Sequence, residues 1–289
     1  YGGTLVNIIS KYGTAIPPFL ERCMSFMLDH SYVVGIFRVP GDDQEIKRLT
    51  GIIDATGTIS IPPSASPFVI ANVISRFLRF LKPHILDDNL ATRWEKVSKP
   101  LGSKEPYNEN DLKEVSKLIW MLSFQNKIFI SRIFGFFIMI SKDERNKMNV
   151  YNLSVPLAPI LVQNSKKPQW LLDPNLVAFM LTNYTELFGD VSALNENGEW
   201  MESALFEAKV SEKMNEAFFC QSIAINMPAN DEMTEKEARM SRKIMVPKAS
   251  WDIMFLKLLT PNGNNEKYFS RKLRSEERRV GKECRSRWS

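Results

Sequence analysis

Histidine and cysteine are scarce in this sequence of 289 residues, which contains two histidines and three cysteines. Three cysteines cannot form a closed disulfide framework, and none of them stands in the C-x-x-C spacing of a metal or redox pair. The zinc-protease, P-loop and serine-hydrolase motifs are also missing, and spacing marks out no pair of carboxylates. The sequence therefore predicts no metal site and no cofactor, and it argues against a self-contained enzyme.

Long apolar runs are lacking as well. The longest, residues 128–140, is interrupted by Ser131 and Arg132 and is too short to span a bilayer, so it is predicted to be a buried core helix. The chain begins at Tyr1 with no visible secretory signal, and unpaired thiols are typical of a reducing compartment. We therefore expect a cytoplasmic protein, and we leave open what precedes Tyr1.

The net charge of +5 and the isoelectric point near 9.0 could indicate a nucleic acid or an anionic membrane surface as partner. Residues 271–289, however, contain eight Lys and Arg against three Glu, so this tail accounts for the whole excess. We expect the tail to be disordered or a sequence artefact, because residues 274–289 read like translated vector or adapter sequence. The basicity therefore does not predict binding of nucleic acid by the preceding residues.

Helical periodicity dominates the sequence, and strand-like alternation is scarce, so the expected fold class is all-α. Prolines, candidate N-caps such as Asp42 and the Ser66-Pro67 pair mark the helix starts. The predicted helices begin near residues 18, 43 and 67, the third running to about residue 80, and then cover 112–122, 126–140, 149–162 and 174–184. Residues 142–147 are predicted to be a solvated charged loop.

The composition changes near Gly189, which predicts a domain over residues 1–190 followed by a helical extension of unknown role over 191–270. The extension contains a helix candidate at 205–225, a capping-box pattern at 234–237 and a short apolar helix at 250–259. No internal repeat or low-complexity tract is present.

One segment between two predicted helices differs from its surroundings: Gly35-Ile36-Phe37-Arg38-Val39-Pro40-Gly41. Its apolar residues can anchor a loop to the core while Arg38 projects from it, and its glycines allow backbone geometry that a side chain would forbid. Taken alone, the segment slightly favours an arginine that caps a helix end or pairs with an acid.

Four further segments change this interpretation. They are Ile16-Pro17-Pro18-Phe19-Leu20, Ile74-Ser75-Arg76-Phe77-Leu78-Arg79-Phe80-Leu81-Lys82, Lys147-Met148 followed by Asn152-Leu153-Ser154 and Pro159-Ile160-Leu161, and Asn183-Tyr184-Thr185-Glu186-Leu187-Phe188. Together with Gly35–Gly41, and in this order, they resemble the motifs of the Rho GTPase-activating (RhoGAP) domain over about residues 1–190. A single one of these motifs would be weak, and it is the ordered set that makes the resemblance specific.

The resemblance implies a helical bundle that binds GTP-loaded Rho-family small GTPases and accelerates GTP hydrolysis by inserting an arginine, which is Arg38 here. Gly35, Phe37 and Gly41 would support the loop that carries this arginine finger. Arg79 matches the arginine that steadies the loop, and Asn152 matches a residue at the GTPase contact. The protein would be a GTPase activator in cytoplasmic signalling rather than an enzyme with its own active site. It would have no nucleic-acid partner and would reach membranes only indirectly, through the GTPase.

The sequence departs from the family pattern in three places. Ser75 stands where the family has a GTPase-binding lysine, and the proline turn after Leu81 is altered. Pro156 lies inside a predicted helix and cannot donate to the carbonyl of Asn152, so we predict a kink or break beginning near Asn152. The first two departures, Ser75 and the altered proline turn, motivate an alternative function, a module that binds Rho-type GTPases without activating them. The basic isoelectric point motivates a third, a nucleic-acid or membrane-surface binder.

Overall fold

Apolar stripes at helical spacing make this chain fold as packed helices, because each stripe must be covered by another element. A computed structural model describes residues 3–100 and 103–226, which contain eleven α-helices and three short 3-10 turns. Two isolated bridges are the only β-structure in this part of the chain, which confirms the predicted all-α class. The helices are α1 (Leu5–Tyr12), α2 (Pro18–Asp29), α3 (Asp43–Thr56), α4 (Pro67–Phe80), α5 (Ala91–Val97), α6 (Glu109–Met121), α7 (Phe124–Ser141), α8 (Val150–Leu161), α9 (Pro174–Thr182), α10 (Tyr184–Phe188) and α11 (Ser203–Asn226).

Helix α7 is the centre of the fold, as predicted from the apolar residues on nearly all its sides. Its side chains are buried almost all round, and it packs against α1, α2, α8, α9 and α10. No helix among the described residues combines the length and the apolarity that crossing a bilayer requires.

Side-chain caps fix the start of several helices. The Asp42 carboxylate accepts the amide hydrogen of Glu45 at 2.7 Å and begins α3, as the sequence predicts. Asn149 accepts the amide hydrogen of Asn152 at 2.8 Å and begins α8. These caps set the ends of the α2–α3 loop and of the connection between α7 and α8.

Helix α8 runs without interruption through Pro156 and Pro159, so the predicted break near Asn152 is wrong. A kink there stays a prediction. Proline removes one backbone hydrogen bond, but Leu153 and Leu157 remain buried on the side of α8 that packs against α4 and α9. Packing on both sides of the proline therefore holds the helix together.

The segment after residue 190 packs against the central helix. The Arg132 side chain on α7 is fully buried, and its guanidinium donates to both carboxylate oxygens of Glu21 on α2 at 2.9 Å. It also donates to the carbonyl of Met201 at 2.7 Å and stacks 3.6 Å from the ring centroid of Trp200. Trp200 in turn meets the edge of Phe136, with 6.3 Å between ring centroids.

Helix α11 adds a second link between this segment and the N-terminal helices. The Glu207 carboxylate accepts the backbone amide hydrogens of Ala15 at 2.9 Å and of Ile16 at 3.3 Å, just before α2. Burial raises the pKa of Glu207 above its ordinary value, although the two amide donors oppose that shift. The compact unit runs from Tyr1 to Ile225 and so includes the start of the predicted extension. The division at residue 190 stays a prediction, and the patterns at 234–237, 250–259 and 271–289 lie outside the described residues.

The histidines and one cysteine have structural roles. His84 is buried, and its Nδ1 lies 2.9 Å from a carboxylate oxygen of Asp88. His30 bonds through Nδ1 to the carbonyl of Phe26 at 2.8 Å. Burial raises the pKa of the Cys23 thiol to about 12, so this thiol stays protonated and unreactive.

Candidate functional site

The segment Gly35–Gly41 forms a tight loop between α2 and α3. Gly35 has a φ of +75°, a conformation that few side chains adopt, and its amide hydrogen is donated to the carbonyl of Asn146 at 2.8 Å. Its own carbonyl accepts from the amides of Arg38 at 3.0 Å and of Val39 at 2.9 Å. The loop is therefore closed on itself and tied to the 3-10 turn Glu144–Asn146, which follows α7.

Phe37 anchors the loop at the cost of backbone strain. Its φ is +64°, which is rare for a bulky residue and costs about 1–3 kcal/mol. Its ring is buried against Phe136 and Phe137 of α7, with ring centroids 5.9 and 4.8 Å away. Burial of the ring holds this conformation, which turns the next side chain outward.

Arg38 is that next residue, and its side chain is exposed. Among the described residues no hydrogen bond or ion pair holds its guanidinium. The side chain lies over the start of the loop, with Nη2 3.5 Å from the position that a Cβ on Gly35 would occupy. The loop thus presents a permanently charged group whose donors are all available to another molecule.

The end of the loop rests on the first turns of α4. A Cβ on Gly41 would lie 2.7 Å from the backbone nitrogen of Val69 and 2.8 Å from the carbonyl of Phe68. Beside this contact, the Asn72 side chain donates to the carbonyl of Phe68 at 2.8 Å and reaches that of Val39 at 3.5 Å. Gly41 is therefore needed for the close approach of two backbones.

Alanine at Gly41 is expected to lower the free energy of unfolding by about 1–3 kcal/mol, because its Cβ must displace the loop or α4. Gly51 provides a matched control, since it lies on the exposed side of α3 and a Cβ there would meet nothing within 4 Å. Gly51→Ala is expected to raise the same free energy by about 0.5–1 kcal/mol. Urea unfolding of the two variants measures both changes, and equal changes would contradict the close approach at Gly41.

The outer face of α4 carries Ser75 and Arg79, which follow Asn72 at helical spacing and so share its side of the helix. Ser75 is half-buried, and Arg79 is exposed in the last turn. Within the described part of the chain no hydrogen bond joins Arg79 to the loop. The structure thus brings the loop and this face of α4 together through Asn72, while Arg79 itself makes no hydrogen bond to the loop among the described residues.

Arg76, the neighbour of Ser75 on α4, is directed toward the start of α3. Its Nη1 lies 3.7 Å from a carboxylate oxygen of Asp43, and its guanidinium lies 5.6 Å from the ring centroid of Phe80. A hydrogen bond from Lys47, together with the charges of Lys47 and Arg76, holds the pKa of Asp43 below its ordinary value. Arg76 is therefore engaged with the start of α3.

Asn152 lies in the first turn of α8, where its side chain donates to the carbonyl of Lys147 at 3.0 Å. Tyr151 and Val155, one turn apart, leave 49% and 48% of their surface exposed on the same helix. This part of α8 therefore combines an oriented carboxamide with apolar surface that another protein could cover.

Asn146 was not among the residues singled out from the sequence. It lies in the predicted solvated loop, yet its side chain is fully buried, so the prediction for residues 142–147 is wrong at this position. The charged neighbours Glu144, Arg145 and Lys147 are exposed and dominate the sequence pattern. The only available signal was the place of Asn146 directly before the Lys147-Met148 motif.

The exposed positive charges of the site suit an anionic partner. Arg38, Arg79 and Lys147 are exposed cations on the loop, on α4 and before α8. A guanidinium is planar and can donate two parallel hydrogen bonds to a phosphate or carboxylate. With the apolar pair on α8, the arrangement suits a protein partner that presents a phosphate group.

Comparison with known families gives a match to the RhoGAP domain model over residues 17–166. The Rho GTPase-activating protein gacJ of Dictyostelium discoideum is 24% identical over 187 residues, which are 62% of this chain and 20% of that protein. Human Rho GTPase-activating protein 11A is 30% identical over 163 residues, which are 55% of this chain and 15% of that protein. The chain thus spans a fifth or less of the length of these two relatives.

Two solved structures share the fold. Human Rho GTPase activating protein 15 superposes with a TM-score of 0.55 at 20% identity, covering 65% of this chain and 92% of that one. The BH domain of Graf, the GTPase regulator associated with focal adhesion kinase, superposes with a TM-score of 0.51 at 17% identity, covering 60% of this chain and 93% of that one. At these identities the likeness concerns the helical architecture.

Proposed function

Because the chain belongs to the RhoGAP domain family, we propose that it binds GTP-loaded Rho-family small GTPases and accelerates their hydrolysis of GTP. Arg38 is the catalytic residue of this proposal, supplied in trans to the active site of the partner. The protein itself then needs no substrate pocket, metal or cofactor. It acts in the cytoplasm and reaches membranes only through the GTPase.

The observation that carries this proposal is the state of Arg38. Its guanidinium is exposed and makes no ion pair within the described chain, although exposed arginines such as Arg48 and Arg145 are paired with neighbouring acids. The loop beneath it is strained at Phe37 and locked at Gly35 and Gly41. Strain that is held by the surrounding structure is typical of functional sites.

The chemistry explains why an arginine suits this position. During phosphoryl transfer, negative charge is spread over the transferred group, and a planar, permanently charged guanidinium can stabilise it through several hydrogen bonds. An arginine supplied in trans is worth about 10³–10⁵ in rate, or about 4–7 kcal/mol of barrier. A preformed loop adds to this effect because little motion remains to be restricted on binding.

The other site residues have binding roles in this proposal. Asn152 and the exposed pair Tyr151 and Val155 contact the GTPase from α8, and Arg79 and Ser75 contact it from α4. Arg79 also steadies the finger loop once the partner is bound.

A second function is favoured by two observations on α4. Ser75 stands in place of the family's lysine, and Arg79 makes no hydrogen bond to the loop within the described residues. A protein that lacks these contacts could bind a GTPase and leave its hydrolysis rate unchanged. This alternative is a GTPase-binding module without activation.

Single-turnover hydrolysis distinguishes the two functions. Rho-family GTPases and a Ras-type GTPase, each loaded with GTP, are mixed with the full chain. The rate of GTP hydrolysis in each mixture is compared with the rate of the same GTPase alone. The proposed function predicts an acceleration of at least about 10³-fold with one or more Rho-type partners and none with Ras. Binding without acceleration supports the alternative. If no GTPase of the panel is bound or accelerated, both functions are contradicted.

A further inference from the structure

Hydrogen bonds of Asn146 join the finger loop to the end of α7 and to the residues that lead into α8. It is the last residue of the 3-10 turn Glu144–Asn146, between α7 and α8, and its side chain is fully buried. Buried carboxamides are kept when each polar atom finds a partner, because an unpaired one is costly. The partners of Asn146 therefore show what it holds in place.

The side chain makes three hydrogen bonds. Nδ2 donates to the carbonyl of Ser31, before the finger loop, and to that of Ile140 at the end of α7, both at 2.8 Å. Oδ1 accepts the amide hydrogen of Met148, on the way to α8, at 2.6 Å. One carboxamide thus connects the distant segment after α2 with the end of α7 and the residues before α8.

The backbone beside this carboxamide extends the connection to the loop of Arg38 and to the side chain of Asn152. The Asn146 carbonyl accepts the Gly35 amide hydrogen at 2.8 Å and so holds the loop that carries Arg38. The next carbonyl, of Lys147, accepts from the Asn152 side chain at 3.0 Å. Lys147 has a φ of +58°, a strained conformation that turns the two successive carbonyls to these different partners.

We propose that Asn146 is a positioning residue that sets the spacing between the arginine finger Arg38 and the contact residue Asn152. The inference rests on the proposed function and deepens it. Asn146 touches neither nucleotide nor GTPase, since it is buried, and it acts through the two residues that it orients. Displacement of a catalytic group by about 1 Å can cost about 10²-fold in rate, so a small shift of this turn has a large effect.

Asn146→Ala removes the three side-chain bonds and keeps the backbone carbonyl. The single-turnover rate of GTP hydrolysis is measured with a GTPase that the wild type accelerates and with the variant at saturating concentration. This rate is expected to fall about 10²-fold, at a temperature where circular dichroism shows that the variant is folded. Ile119→Ala is the matched control, because Ile119 is fully buried in α6, which packs against α5 and α10, and its truncation destabilises the fold without touching the site. If Asn146→Ala is unfolded under these conditions, Asn146→Ser, which retains a hydroxyl, takes its place.

Amide hydrogen exchange of the free protein gives a readout that needs no GTPase. In the Asn146 variant the amides of Gly35 and Met148 are expected to exchange about tenfold faster, because loss of buried hydrogen bonds shifts local opening by that order. Ile119→Ala is expected to leave these two amides protected.

The outcomes are distinct. Loss of rate together with faster exchange at Gly35 and Met148, both relative to Ile119→Ala, supports the positioning role. A rate equal to that of Ile119→Ala, or unchanged protection of Gly35, overturns it. If the wild type accelerates no GTPase, the proposed function fails, and the positioning role that rests on it fails as well. This holds even where exchange shows that Asn146 joins the finger loop to the segment before α8.

Discussion

Replacing Arg38 by alanine is expected to lower the rate of GTP hydrolysis in the complex about 10³–10⁵-fold and to leave the stability of the protein unchanged. The two effects separate because the Arg38 side chain is exposed and has no partner within the described chain. Truncation then removes no hydrogen bond or ion pair within the described chain, and surface substitutions of this kind change the free energy of unfolding by about 0.5 kcal/mol or less. Single-turnover hydrolysis measures the first effect and urea unfolding the second.

Lysine at position 38 is expected to fail nearly as completely as alanine. It keeps the charge but offers one ammonium point charge in place of a planar fork of donors. Arg93→Ala is the matched control for charge, since Arg93 is an exposed arginine on α5, and it is expected to retain full activation. Activation by Arg38→Ala at the wild-type rate would show that the finger assignment is wrong.

Replacing Arg132 by methionine is expected to cost about 3–5 kcal/mol of stability. The substitution leaves the Glu21 carboxylate without its bidentate partner, and it removes the donor to the Met201 carbonyl and the cation above Trp200. For a domain of this size the melting temperature falls by about 2–4 °C per kcal/mol, or about 10 °C in total. Calorimetry or circular dichroism melting measures the change.

The double variant Arg132→Met with Glu21→Leu distinguishes the contribution of the ion pair from the cost of leaving one buried charge unpaired. Removing both partners leaves no uncompensated charge, so the double variant is expected to recover most of the stability that Arg132→Met alone loses. A double variant less stable than Arg132→Met would contradict the interpretation of a buried pair, because it would mean that Glu21 stabilises the fold without Arg132.

Local signals in the sequence were sufficient to predict the longer helices. Ser66-Pro67 marks the start of α4, and the apolar run over residues 128–140 predicts the buried α7. The short helices α1 and α5 were not predicted, because helices of seven or eight residues gain their stability from tertiary packing rather than from a pattern of their own.

The candidate site could be predicted only in part, for a related reason. The motifs name Arg38, Asn152 and the face of α4, but the contacts that join them link residues far apart in sequence. Gly41 meets the backbone of Phe68, and Asn146 meets Gly35. The positive φ of Phe37 and the burial of Asn146 among charged neighbours leave no local pattern, since both are imposed by the assembled fold.

The rings of Phe37, Phe136 and Trp200 form a continuous contact from the finger loop to the segment beyond residue 190. In a close-packed core the side-chain volumes at these three positions depend on one another, because a ring lost at one position leaves space that a neighbour must fill. In evolutionary terms the three sites are constrained jointly rather than singly. Among homologous sequences they are expected to co-vary, with a smaller residue at position 200 accompanied by a compensating change at position 136.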